Sequence, residues 1–246
     1  MTEPVVTTSA PVPRSRLVKH RSRDVGGELL ESLWAFHQRF VVRSRESFVA
    51  GLASADEIWT LDTPAGLGGF ASVKKVGVEL DGRHHTVLYT QWAFMDPALR
   101  RQGFLHRVAL SAWLRCKLRH PLRPVYWVFT ASSVNAYMHM LRSMPIAYPR
   151  RDAETPPLLR EVLHQTMCQV SPGSWQPESG TLRRNGEVQY REGLVSDKDS
   201  HPDVVFYRSR NPHQSRGDSL GCIAPATLGA ARAYIRRVRR RKAPSP

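Results

Sequence analysis

Across residues 25–50, Leu29, Leu30, Leu33, Trp34, Phe36, Phe40 and Val41 recur three and four apart. That is the spacing of a helix with one buried stripe, and it predicts one helix, or two, packed on a sheet. Residues 57–62 carry Ile58, Trp59 and Leu61 and end at Thr63-Pro64-Ala65-Gly66, which predicts a strand stopped by a turn. The Val-rich stretch 70–80 is followed by Asp81-Gly82 and then by the β-branched and aromatic run 86–95. Asp-Gly between two such runs predicts an antiparallel hairpin, because Gly accepts the positive φ that a tight turn needs.

The hairpin leads into Asp96-Pro97-Ala98-Leu99-Arg100-Arg101-Gln102-Gly103, a basic turn, and periodicity changes immediately after it. Leu105, Val108, Ala109, Ala112, Trp113 and Cys116 fall at i, i+3, i+4, i+7, i+8 and i+11, an amphipathic helix that Pro121 should end. Residues 125–130 form a continuous apolar run of strand length, expected to be buried on both faces. Ser133 can cap a helix over 134–143. Strand, helix and strand make a βαβ unit, so the sheet is expected to be mixed.

Further on, 149–157 reads as a loop and 158–167 as a short helix. Residues 171–203 read as an irregular Gly-, Pro- and Ser-rich excursion in which Arg184-Asn185-Gly186-Glu187 could turn a small hairpin. The run 204–207 reads as a strand, 211–218 as a loop and 226–241 as a final helix with a basic end. Three parts follow: a disordered basic arm (1–24), one domain (25–225) and a basic helix or tail (226–246).

Composition narrows the classes. With 246 residues, 41% of them hydrophobic and 23% charged, the chain can bury a full core, and no apolar run approaches the roughly 20 residues of a membrane span. Cys116, Cys168 and Cys222 are odd in number and far apart, which argues against a disulfide framework or a Cys-based zinc site and suits a reducing cytoplasm. Residues 1–24 hold no apolar block of the kind a secretory signal needs. The formal net charge of +15, concentrated near the two ends, favours anionic partners. His84-His85 and His106 lack a carboxylate or Cys to complete a metal set.

The turn carries the candidate chemistry. The first amides of a helix have no internal partners and stand at the positive end of its dipole, so they bind phosphate oxygens, and Gly103 allows close approach. Arg100 and Arg101 add charge. With Gln102, Gly103 and Phe104 they match, as they stand, the pyrophosphate-binding signature of the GNAT superfamily of N-acyltransferases, which residues 57–149 resemble. Leu105 departs from it, standing where that family has Gly or Ala.

The resemblance implies a mostly antiparallel central sheet flanked by helices, here with a long C-terminal extension: an α/β (α+β) fold. It implies acetyl-CoA or another acyl-CoA as donor, an amine or amino acid as acceptor, and direct attack in a ternary complex. Backbone groups of Trp92, Ala93, Phe94 and Met95 would hold the pantetheine arm. Tyr137 would protonate the departing thiolate, with Ser133 and Asn135 nearby; a phenol, with an ordinary pKa of about 10, keeps its proton at neutral pH. For a general base, Glu79 comes first, then Asp96 and Glu57.

Two alternatives stay open. The acyl group could come from an acyl carrier protein, an acidic partner for a basic surface. The chain could instead be a non-catalytic module whose ends, 14–23 and 236–242, bind nucleic acid or anionic surfaces through phosphate contacts.

Overall fold

A computed structural model describes residues 15–144, 146–184, 188–190 and 200–230, with the side chains of Arg100, Arg101 and Gln102 excepted. The expected 184–187 hairpin turn and final basic helix therefore lie largely outside the described residues, as does the 236–242 end proposed to bind nucleic acid; of the other such end, 14–23, all but Arg14 is described.

The core is a nine-stranded sheet in the order β1-β3-β4-β5-β7-β11-β9-β8, with β6 added on β4. It is mixed and mostly antiparallel, as expected, and helices cover both faces. Its centre is the predicted hairpin, β4 (Gly66–Leu80) and β5 (Arg83–Thr90), turning at Asp81 and Gly82, both at positive φ. After β6 (Ala93–Met95) and a 3-10 turn (Pro97–Gln102), the helix α3 (Phe104–Arg119) returns the chain to β7 (Val125–Ala131). β7 pairs parallel with β5 from Thr86↔Val125 to Thr90↔Phe129, which completes the βαβ unit.

Alternation in the strands assigns the faces. Val76, Val78, Val87, Tyr89 and Val128 point to one face, where α5 (Pro157–Val170) packs through Leu159, Val162 and Met167. Farther along that face, α1 (Gly27–Gln38) and α2 (Arg45–Ala53) cover Ile58, Phe70 and Trp92. Trp59, Leu61, Val73, Leu88 and Trp127 point the other way, onto Phe104, Val108, Ala112 and Cys116 of α3. Next to α3, α4 (Val134–Ser143) and α6 (Pro202–Arg210) pack on Ala131 and Cys222. Glu57, in β3 (Glu57–Thr63), is buried and paired with Lys75 at 2.9 Å and Arg115 at 2.7 Å. Burial pushes its pKa up, but the two cations outweigh that and hold it below the usual carboxylate range.

Several expectations are corrected. Within the supposed arm, Arg16–Arg21 forms β1, paired in full register with β3; its exposed Arg16, Lys19 and Arg21 protect a sheet edge, where unpaired backbone invites aggregation. Residues 204–207 belong to α6, which starts at Pro202 with the His201 side chain accepting from the Asp203 amide. The excursion is not wholly irregular: β8 (Trp175–Gln176) pairs with β9 (Thr181–Leu182), and β10 (Gln189–Tyr190) pairs with β2 (Val41–Val42). β11 (Ser219–Pro225), antiparallel to β7 from Leu220 to Pro225, was not foreseen.

Candidate active site

The site begins where the sheet splits. β4 pairs with β5 over Lys74–Leu80 and with β6 at Gly69, Phe70 and Ala71, so the chain leaves the β5 track at Gln91 and Trp92. Two glycines permit this. A Cβ on Gly69 would lie 2.9 Å from the Phe94 carbonyl oxygen, and one on Gly68 would lie 2.9 Å from the Thr63 methyl and overlap Leu99. Because neither has a side chain, β6 and the following turn lie flat on β4. The β5–β7 pairing ends at Thr90 and Phe129, and beyond those residues a cleft of about 530 Å³ opens.

One wall of the cleft is the outer edge of β6. The Ser72 amide donates to the Trp92 carbonyl at 3.0 Å and the Asp96 amide to the Gly68 carbonyl at 2.9 Å. Antiparallel pairing alternates, so Trp92, Phe94 and Asp96 spend their backbone groups on β4, while those of Ala93 and Met95 point away. Among the described residues no strand pairs with that second edge. Gly103, Phe104 and Leu105 form the adjoining end. Gly103 has φ 72° and no side-chain cap, and the first hydrogen bond accepted at this end joins the Arg107 amide to the Gly103 carbonyl. The amides before Arg107 are those that a helix leaves without internal acceptors.

The expected residues separate into two groups. Phe94, Met95, Gly103, Phe104, Leu105 and Asn135 all line the cleft; Phe104 does so from the core, being 1% exposed. Arg100, Arg101 and Gln102 belong to the turn, but their side chains are outside the described ones. The acid and base candidates lie elsewhere. Tyr137 is fully buried between α4 and α6, its hydroxyl donating to the Pro149 carbonyl at 3.0 Å; burial pushes its pKa up. Glu79 is at the hairpin tip, exposed and paired with His84. Asp96 accepts from the Ala98 amide and pairs with Arg39 at 2.7 Å, and Glu57 is held in its buried cluster. None of these four lines the cleft.

Other residues do. Tyr190 is the phenol lining it, with its pKa raised by burial and its hydroxyl bonded to the Ser132 side chain. His37, 1% exposed, sits among Trp34, Phe48, Trp92 and Phe94. Burial, helped by Arg43, lowers its pKa to about 4, so it is neutral at pH 7. His106 and His139 face each other at 5.6 Å, with Arg142 on the same wall. The signal in α4 was its polar spacing: Asn135, His139 and Arg142 at i, i+4 and i+7 share one face, whereas Val134, Tyr137, Met138 and Leu141 form the apolar stripe. Nothing in the sequence marked Arg43, Arg184 or Tyr190 as site residues; the β2–β10 pairing brings Tyr190 beside the strand that Arg43 follows, and the packing of Gly217 brings Arg184 beside Val188.

No protein-family model and no curated protein matches the chain. The solved structures it resembles include several GNAT N-acetyltransferases. A probable N-acyltransferase from Enterococcus faecalis shares 10% identity, with 53% of this chain and 32% of that one covered and a TM-score of 0.38. A ribosomal-protein-alanine N-acetyltransferase from Brucella melitensis shares 16%, with 58% and 97% covered and a TM-score of 0.38. A GNAT family N-acetyltransferase from Escherichia coli in complex with CoA shares 12%, with 51% and 67% covered and a TM-score of 0.34. The chain thus spans about a third of the first of these. At such TM-scores the likeness carries no weight for chemistry, which rests on the cleft itself. No helix among the described residues is long and apolar enough to cross a membrane.

Proposed function

We propose that the protein is an N-acyltransferase that moves an acyl group from acyl-CoA to an amine. The observation that carries this reading is the free edge of β6 opening into the cleft beside the first turn of α3. A pantetheine arm is a chain of amides that needs a strand-like partner, and a pyrophosphate needs unpartnered amides at a positive helix end. Ala93 and Met95 offer the first and residues 103–106 the second, with His139 and Arg142 adding donors on the facing helix. Leu105, half-buried at the helix start, narrows the same end.

The donor supplies a thioester: as the amine nitrogen bonds to the acyl carbon, the carbon–sulfur bond breaks and the sulfur leaves as a thiolate. The protein must accept one proton from the amine and return one to the sulfur. Tyr190 suits the second task, because burial keeps the phenol protonated and a phenol matches a thiol in ordinary pKa. His37 Nδ1, buried in the cleft without a hydrogen-bond partner, can accept from the amine N–H and orient it; with a pKa of about 4 it is too weak a base to keep the proton, which passes on to solvent.

Titration calorimetry with acetyl-CoA on wild type and Ala93→Pro tests the reading. Proline removes an amide that β4 does not use, so the fold should survive while donor affinity falls about tenfold, the worth of one well-placed hydrogen bond. Absence of binding by wild type, or equal binding by both, would rule the reading out.

A further inference from the structure

The end of the cleft remote from α3 has a different chemistry. The antiparallel register of β10 on β2, Tyr190↔Val41 and Gln189↔Val42, sets Val188 opposite Arg43. Arg184 reaches the same rim, because Gly217, at φ 88°, packs where a Cβ would overlap the Val188 carbonyl and come within 3.4 Å of the Arg184 Cβ. Both arginines line the cleft, and the Arg43 guanidinium stands 5.4 Å from the Trp92 ring centroid. Each oppose, with its charge, the burial-driven rise in pKa of Tyr190 and Tyr89, so both cations are near the same two phenols. Thr90 Oγ1 and His37 Nδ1 are buried in the cleft without hydrogen-bond partners, in residues 7% and 1% exposed. Among the described residues lining the cleft there is no Asp or Glu.

Among the described residues, a simple cationic amine would meet no counter-charge here. We infer that the acceptor carries a carboxylate beside its amine, as an amino acid does, and that Arg43 and Arg184 clasp that carboxylate at the β2–β10 rim. Guanidinium suits the task because its planar donors match a carboxylate two by two. Trp92 stands beside Arg43, and Phe40 and Phe94 also line the cleft, so an apolar or aromatic side chain of the acceptor has apolar surface to pack on. The inference rests on the acyl-transfer reading for the identity of the reaction, but its test does not need the donor.

The test is calorimetric titration of the full chain with N-acetylphenylalanine and with N-acetylphenylalanine amide, which differ only in the carboxylate. Wild type should bind the acid at least about tenfold more tightly than the amide, and Arg43→Gln and Arg184→Gln should each shrink that ratio about tenfold, as expected for loss of a charge-assisted pair. Arg184→Lys, which keeps the charge but not the fork, should retain part of the preference. Equal binding of acid and amide, no binding of either, or a ratio that survives both Gln substitutions would overturn the inference. The wild-type ratio decides alone if a variant does not fold. A parallel acetyl-CoA titration separates the two readings: failure there with the acid preference intact removes acyl transfer and leaves the carboxylate clasp. Loss of acetyl-CoA binding in Arg184→Gln without an acid–amide difference would assign the arginines to the donor instead and overturn the clasp.

Discussion

His37 links the site to stability. Its pKa in the fold is about 4, below the ordinary value of about 6.5, so the unfolded chain takes up a proton in that window that the fold excludes. The contribution of neutral His37 is fully present above about pH 6.5 and drains away as pH falls toward 4. Denaturant melts should show a loss of about 2 kcal/mol between pH 7 and pH 5 that His37→Phe abolishes; an unchanged pH slope in the variant would refute the assignment. A second contrast separates two phenols. Tyr190→Phe should lower kcat about a hundredfold with the donor KM unchanged, the usual worth of a positioned acid. Tyr137→Phe should leave kcat intact and cost about 1 kcal/mol of stability through the lost hydrogen bond to Pro149. The burial of Tyr137 was legible in its 3-4 spacing with Val134, Met138 and Leu141, whereas Tyr190 was invisible, since its neighbours lie some sixty and one hundred and fifty residues away in sequence.

Elements with local causes were readable. The hairpin follows from Asp81-Gly82, α3 from its periodicity and Pro121, and α4 from Ser133, whose side chain accepts from the Ala136 amide at 3.2 Å. Elements with tertiary causes were not. β11 is unassigned in the sequence; its Gly221 is a weak strand signal, yet a Cβ there would lie 2.9 Å from the Trp175 ring: the glycine admits a neighbour and does not break the strand. Val204, Val205 and Phe206 looked like a strand because a short apolar run cannot distinguish a strand from a half-buried helix. The α3 start carries a prediction at this scale. Leu105 packs partly on the α3 core and lines the cleft, so Leu105→Ala removes both contacts. Donor binding should be unchanged or tighter by calorimetry, at a cost of about 1–2 kcal/mol in a denaturant melt, less than for a fully buried leucine. Weaker donor binding would mean that Leu105 holds the donor.

For the molecule as a whole, charge and cleft agree in sign. The chain carries +15, and the described residues lining the cleft include Arg43, Arg142 and Arg184 without an acidic residue. The proposed donor is a polyanion, so the field gathers it before it reaches its contacts, whereas an acceptor with both an amine and a carboxylate has no net charge to be steered. A diffuse field is screened by salt, whereas hydrogen bonds inside a closed site are screened far less. Raising ionic strength from about 0.05 M to about 0.5 M shortens the screening length from about 14 Å to about 4 Å. Over that range kcat/KM for acetyl-CoA should fall about tenfold or more while kcat changes little, because capture weakens and the chemical step does not. Steady-state rates at fixed pH across a salt series measure both quantities. A kcat that falls in step with kcat/KM would place the charge in the transition state, and a flat kcat/KM would mean that the net charge serves another partner.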